Sequence, residues 1–359
     1  MHRIQRFQPI RMTLQHHKLQ IGTALLAALL FGVGTPFAKL LLGDVDPWLL
    51  AGLLYLGSGL GLGLLRLLRK PSPIVLASGE RGWLAGAIVT GGIVAPALLM
   101  WGLSAMPASG AALLLNAEGA FTALIAWFAF KENFDRRIAA GMALIMVGAA
   151  ALAWPEDMRF GSLLPALAVL AACLAWGIDN NLTRKVSLTD AGFIAMLKGL
   201  VAGTTNLILA LGAGARLPEI PLILGAGVLG FVSYGVSLVL FVLALRHLGA
   251  ARTAAYFSTA PFAGALLALP LLGEPLTPKL VIAGLLMGVG VWLHATERHD
   301  HAHAHGPMEH SHEHEHDAHH QHPHAEEVPP GTRHSHLHRH ESLRHAHAHF
   351  PDAHHGHRH

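Results

Sequence analysis

LLMWGLSAMPASGAALLLNAEGAFTALIAWFAFKE (residues 98–132) decides the fold, because its plan occurs twice. LVLFVLALRHLGAARTAAYFSTAPFAGALLALPLLGE (residues 238–274) has the same apolar run, small-residue connection, second apolar run and closing glutamate. An offset of 142 sets Glu132 on Glu274 and, sixteen residues on, Gly148 on Gly290. Nearer the start of each copy, FGVGTPFAK (residues 31–39) lies against WGIDNNLTR (residues 176–184) at an offset of 145, the difference being absorbed in a loop.

Outward from these copies, residues 21–294 form a succession of apolar blocks of about twenty residues, the length an α-helix needs to cross a bilayer core of about 30 Å. Of the 359 residues, 52% are hydrophobic and only 13% charged, against about a quarter charged in soluble domains; mean hydropathy is +0.45. The runs are continuous rather than alternating. Backbone polar groups in lipid must be satisfied within the segment, so helices are expected and a β-barrel is excluded. Spans are placed at 20–42, 47–68, 82–105, 108–130, 135–154, 160–182, 191–213, 219–245, 250–272 and 276–295. The expected fold is an all-α integral membrane protein of ten transmembrane helices, built as two inverted five-helix repeats (20–154 and 160–295). A cytoplasmic segment (1–19) precedes them and a disordered His-rich cytoplasmic tail (296–359) follows. Small residues such as GSGLGLG (57–63) suit close helix packing in lipid. The single cysteine, Cys173, makes an intrachain disulfide impossible. The basic N-terminus runs into an apolar stretch too long for a signal peptide, which is read as the first span.

Lysine and arginine set the orientation. With the N-terminus inside, the cytoplasmic segments hold fifteen: Arg3, Arg6, Arg11, Lys18, Arg66, Arg69, Lys70, Arg81, Lys131, Arg136, Arg137, Arg184, Lys185, Arg246 and Arg252. The other side holds four: Lys39, Arg159, Arg216 and Lys279. Both termini are expected in the cytoplasm, in a multi-pass protein of bacterial inner-membrane type. Five spans per half invert the second half on the first, a common build for secondary transporters with a midplane site between halves.

The ten-span plan resembles the EamA-type members of the drug/metabolite transporter superfamily over residues 20–295. FGVGTPFAK and WGIDNNLTR carry the resemblance, as do the passages from span three into four and from eight into nine. So do KEN (131–133) and GEP (273–275) after spans four and nine, each followed by a Gly-rich last span. The resemblance implies a carrier of small metabolites, amino acids or drugs that binds no nucleotide and is not an enzyme; no Walker-type glycine loop occurs. The family pattern has a proline in the middle of spans four and nine. Span nine keeps it as Pro261, whereas span four has Glu118 and Gly119.

That makes Glu118 the first candidate for substrate or proton handling, since a carboxylate at bilayer depth faces a cavity or a partner; the alternative is a structural, hydrogen-bonded carboxyl. Asp179, Asn180 and Asn181, late in span six, are either a substrate or cation contact or a membrane-surface turn before Arg184. Lys198 in span seven, with Thr205 on the same face, either pairs with Asp179 or Glu118 or snorkels to the interface; snorkelling is the preferred reading. Asn116, Asn206, Trp101 and Tyr234 are candidate cavity liners. Glu132 and Glu274 read as helix-end residues outside transport.

The tail holds twenty-three of the twenty-eight histidines, mostly at every second position. Candidate metal ligands are His301, His303, His305, His310, His312, His314, His316, His319 and His320. Further along come His334, His336, His338, His340, His345, His347 and His349. Neutral imidazole suits zinc, nickel, copper and cobalt; the alternative is a pH-responsive tail. No cofactor is required, and a divalent transition metal bound by the tail is expected. Partners are membrane lipid, a small-molecule substrate and metal ions, with no nucleic acid; a homodimer is compatible with the sequence. The expected function is secondary transport, in the export direction, of a small metabolite or drug-like solute by alternating access. A divalent-metal exporter with a collecting tail, and a non-transporting metal sensor or store, stay open.

Overall fold

The computed structural model describes residues 10–69, 79–130, 136–154, 163–186, 190–248, 253, 256–295, 300–305, 308–314, 334–340 and 343–348. The chain divides into two units, Met1–Glu297 and Arg298–His359. Of the sequence-derived candidates, His316, His319, His320, His349 and Glu132 lie outside the described residues.

The first unit is helical. In chain order it contains α1 (Ile10–Gly32), α2 (Gly34–Leu41), α3 (Pro47–Arg69), α4 (Glu80–Ala87), α5 (Ala95–Ser104), α6 (Ala108–Leu114), α7 (Ala117–Phe130) and α8 (Arg136–Ala153). The second half contributes α9 (Leu164–Arg184), α10 (Ala191–Gly212), α11 (Ile220–Gly230), α12 (Ser237–Leu248), α13 (Ala260–Leu272) and α14 (Pro278–Ala295). Among the described residues, seven stretches are long and apolar enough to cross a membrane. They are Gln20–Leu41, Pro47–Leu68, Glu80–Ser104, Ala108–Ala129, Leu164–Arg184, Ala191–Gly212 and Ile220–Ala244. Three shorter apolar helices, Ala139–Ala153, Ala260–Leu272 and Pro278–Leu293, stand where the remaining expected spans were placed. Helix α1 starts at Ile10, so the segment read as preceding the first span is in part helical.

The outside of this unit is as apolar as its inside. Leu49, Leu50, Leu54, Leu99, Met100 and Leu114 are buried, while Leu60, Leu64, Leu67, Phe128, Leu266 and Leu285 are exposed. A soluble monomer does not leave so much large apolar surface open; a protein whose solvent is lipid does.

Packing follows an exchange of halves. Helix α3 packs on α10, its equivalent in the other half, and α8 packs on its equivalent α14. Helix α7 packs on α9, as α13 does on α1; α5 packs on α9, as α12 does on α1. The α3–α10 crossing is close because glycines meet: a Cβ on Gly199 would stand 2.5 Å from the Gly59 backbone nitrogen. At one end of α3, Arg66 pairs with Asp190 at 2.8 Å and stacks on Phe193. Asp190 also caps α10 by accepting from the Phe193 N–H at 2.7 Å.

Both halves depart from the regular α-helix at equivalent places. A π-helical segment, Ile88–Val94, joins α4 to α5, and another, Phe231–Val236, joins α11 to α12. Span four breaks between α6 and α7 at Leu115 and Asn116; span nine breaks at Ser258 and Thr259, before α13. Pro261 explains the second break, being suited to a helix's first turn and not to its interior. The first break occurs without proline; there the Asn116 side-chain amide donates to the Leu113 carbonyl at 3.1 Å.

The described residues of the second unit form four strands, β1 (Asp300–His305), β2 (Met308–His314), β3 (His334–His340) and β4 (Leu343–Ala348), paired antiparallel as β1 with β4 and β2 with β3. The sequence alternates with period two, the period of a strand, though too few apolar residues are present to signal burial.

Candidate functional site

The polar residues of the spans converge where α9 and α10 of the second half meet spans three and four of the first. Asp179 is the sixteenth residue of α9, about 8 Å (five residues at 1.5 Å each) short of its end at Arg184. Its Oδ1 accepts from Lys198 Nζ of α10 at 2.6 Å and from Thr183 Oγ1 at 2.8 Å. Lys198 donates to Oδ2 as well. Both side chains are almost fully buried, with Asp179 and Lys198 each 4% exposed. The snorkelling reading of Lys198 is therefore corrected: its ammonium turns inward because a carboxylate is within reach, and an unpaired charge at this depth costs several kcal/mol. The surface-turn reading of Asp179 falls with it. Thr205 does not join Lys198, its hydroxyl donating instead to the Val201 carbonyl of its own helix.

One residue further along α9, Asn180 faces span four. Its Nδ2 donates to Glu118 Oε1 at 2.8 Å and to Thr122 Oγ1 at 3.2 Å. Thr122 in turn donates to the Glu118 carbonyl at 2.8 Å. Asn181 donates to the Thr122 and Gly177 carbonyls at 3.1 and 2.9 Å. Glu118 occupies the first turn of α7, immediately after the break. The break thus brings a carboxylate to a helix start, where amide dipoles favour negative charge.

The third wall is the π-helical segment of span three. A π-turn widens the helix and leaves carbonyls for other partners. Gly91 O accepts from Tyr55 OH at 2.7 Å and from Trp176 Nε1 at 2.9 Å; Gly92 O accepts from Asn206 Nδ2 at 3.1 Å. Asn206 Oδ1 then accepts from Trp48 Nε1 at 3.0 Å. Only glycine fits at position 91, because a Cβ there would overlap the Asp179 carboxylate. Aromatic rings continue across the boundary between halves. Tyr55 packs on Tyr234 (centroids 5.4 Å apart), and Phe31 packs on Tyr234 (5.7 Å), Trp176 (6.2 Å) and Phe257 (5.4 Å).

Of the expected site residues, Glu118, Asn180, Asp179 and Lys198 come together, and Tyr234 joins through the rings. Asn116 is buried at the span-four break, its Oδ1 without a hydrogen-bond partner among the described residues. Trp101 is 47% exposed on α5. Glu274 has the helix-end role expected of it, in an unexpected place. Its carboxylate accepts from the Ala108 and Ser109 N–H groups at 2.6 and 2.9 Å, capping α6 of the other half. Lys39 anchors the same connection by donating to the Leu103, Ser104 and Met106 carbonyls. Tyr55, Trp176, Thr122 and Gly91 escaped the sequence reading. The tyrosine and threonine hydroxyls were visible there as polar groups in apolar spans; the exposed carbonyls of residues 91 and 92 had no signal.

Among the described residues, no group of three or more His, Cys, Asp or Glu side chains stands together as a metal site.

The model of the EamA-like transporter family matches residues 18–154 and again 163–296. A protein of Methanothermobacter thermautotrophicus described as "Uncharacterized transporter" is 29% identical over 290 residues, covering 74% of this chain and 83% of that protein. A solved crystal structure, 17% identical, superposes with a TM-score of 0.60 over 77% of this chain and 98% of its own, a likeness of fold alone.

Proposed function

The chain belongs to the EamA-like transporter family and is a multi-pass membrane transporter; from that premise we propose that it exports a small metabolite or drug-like solute by alternating access between its two halves. The single observation that carries this reading is the buried Asp179–Lys198 pair beside Glu118 and Asn180. A cation, two carboxyl groups and an amide, gathered where the halves meet, form a set that a polar solute or a proton can enter by exchanging partners.

Ten crossings follow when the three shorter helices are counted with the seven long ones, with five per half. The second half is then inverted on the first, and both termini lie in the cytoplasm of a bacterial-type inner membrane. Asp179 and Lys198 hold each other while the site is empty. A substrate bearing both a carboxylate and an amine competes for each in turn, and its binding loosens the contact between α9 and α10. Glu118 carries the coupling proton. Either form of its carboxyl accepts from Asn180, the ionised form more strongly, and the ionised form also favours a cationic partner or the helix start.

The test compares cells making no protein, the full-length protein, Asp179→Asn and Glu118→Gln. Metabolites inside the cells and in the medium are measured by mass spectrometry. A solute moved outward by the full-length protein and retained with Asp179→Asn is the expected result. Once that solute is known, reconstituted vesicles under a pH gradient test coupling. Glu118→Gln is expected to abolish the pH dependence, and full pH-dependent flux from that variant sinks the coupling role.

A further inference from the structure

At one face of the membrane unit, the connection from span three to span four is held from two directions. Lys39, in the last turn of α2, directs its three donors to the Leu103, Ser104 and Met106 carbonyls, at 2.7, 3.1 and 3.0 Å. These carbonyls lie at the C-terminal end of α5, where a cation is favoured. Glu274 holds the other side. Helix α13 ends at Gly273, whose φ of 66° lies in the left-handed region that favours glycine; the chain turns there and the next residue reaches α6. Glu274 Oε1 accepts from the Ala108 N–H at 2.6 Å and Oε2 from the Ser109 N–H at 2.9 Å. Ala108 and Ser109 are buried, and the first amides of a helix have no partner within it. Helices α2, α6 and α13 pack on one another here. A Cβ on Gly264 would stand 2.6 Å from the Gly32 carbonyl oxygen and 3.2 Å from the Ala112 Cβ, so glycine lets span nine close onto spans one and four. Asp46, at the same face, caps a helix by local means: its Oδ1 accepts from the Trp48 and Leu49 N–H groups at 3.0 Å each. Glu274 makes the same kind of cap across 165 residues and between halves.

We propose that the Glu274 carboxylate is a latch that holds this face of the transporter shut, breaking and remaking its two bonds once in each transport cycle. Lys39 is the positioning residue that presents the connection to it. The inference rests on alternating access between the halves, and it takes Glu274 from a helix end into the cycle itself. A cap needed only for stability is best made within its own half, as Asp46 makes one, because a contact between halves is lost whenever they part. A contact between halves suits a state that must be well defined and temporary. Charge-assisted hydrogen bonds are the strong ones, yet opening does not strand their groups. When the halves part, the carboxylate and the two amides meet water entering from this face. That exchange of partners keeps the shut and open states close in free energy. Removing the latch therefore favours the conformer open at this face, which in alternating access is the conformer shut at the other.

The test is hydrogen exchange read by mass spectrometry on the full-length protein in lipid nanodiscs. It compares the wild type with Glu274→Gln, Lys39→Met and, as the local-cap control at the same face, Asp46→Asn. Glu274→Gln is expected to speed exchange at the start of α6 at least about tenfold, the size of one lost hydrogen bond to a charged group. It is also expected to slow exchange at the end of α9, which is the equivalent of α2 at the opposite face. Lys39→Met is expected to move both readings in the same directions by less. Asp46→Asn is expected to speed exchange at the start of α3 alone, as a merely structural cap does. Faster exchange confined to the start of α6 in Glu274→Gln, or no change there, overturns the inference. If Glu274→Gln does not purify as a folded protein, Lys39→Met decides by the same two readings. A failure of alternating access as such shows separately, in the solute comparison with Asp179→Asn, which none of these variants enters.

Discussion

The two halves share a backbone and divide the chemistry unequally. Each has a π-helical segment in its third span and a break in its fourth, at matching positions. Where α9 and α10 meet spans three and four, the surface is polar: Asp179, Lys198, Asn180, Glu118 and the Gly91 and Gly92 carbonyls. The equivalent meeting, of α1 and α3 with the second half's third and fourth spans, has Phe31, Gly34, Ser233, Tyr234, Phe257 and Pro261. There the π segment serves an aromatic cluster, and Ser233 Oγ is buried without a hydrogen-bond partner among the described residues. The duplicated scaffold supplies the places where a helix can open, and among the described residues the carboxylates and the lysine occupy one of the two sets. Glu118 and Gly119 stand where Pro261 stands in the other half, so the same break delivers a carboxylate in one and an imide ring in the other.

The largest expected effect comes from removing one charge on the polar side. Lys198→Met leaves the Asp179 carboxyl buried without its cation, at a cost of about 3–5 kcal/mol, visible as a lower thermal unfolding midpoint in detergent. Adding Asp179→Asn should restore most of that stability and none of the transport. If Lys198→Met alone is as stable as the wild type, the pair is not the organising contact of that side.

Next comes the α3–α10 crossing, which belongs to both sides and sharpens the comparison by acting on neither chemistry. Gly199→Leu forces apart backbones already in contact, for a loss of about 1–3 kcal/mol. Gly227→Ala, with nothing within 4 Å of its added Cβ, should leave the unfolding midpoint in place.

Smaller still is Asn180→Ala, which removes the donor to Glu118 and should cost about 1–2 kcal/mol in stability while abolishing flux of the identified solute. Normal flux would separate the two carboxyl groups into unrelated elements. The smallest effect is expected on the apolar side. Ser233→Ala removes a buried hydroxyl with no hydrogen-bond partner among the described residues, so stability should stay within about 0.5 kcal/mol or rise slightly. That side already has one polar contact, Ser237 Oγ donating to the Ala27 carbonyl at 2.8 Å; a clear loss would show that Ser233 makes another.

The sequence by itself determined the membrane class, the two repeated halves and their approximate spans, because bilayer thickness and backbone satisfaction leave few alternatives for twenty-residue apolar runs. It also picked out Glu118, Asp179, Asn180 and Lys198, since ionisable and amide groups at that depth are conspicuous. It could not assign partners. Lys198 at the eighth position of α10 has two homes by length alone, the interface or the interior, and only the approach of α9 decided between them. The tertiary structure also decided that Glu274 caps a helix of the opposite half and that the Gly91 carbonyl is bonded by Tyr55 and Trp176. In the tail, composition showed the histidines and only strand register set them opposite one another. Hydropathy is a property of each residue summed along the chain; pairing depends on which residues distant in sequence arrive within 3 Å, and that is fixed by helix packing.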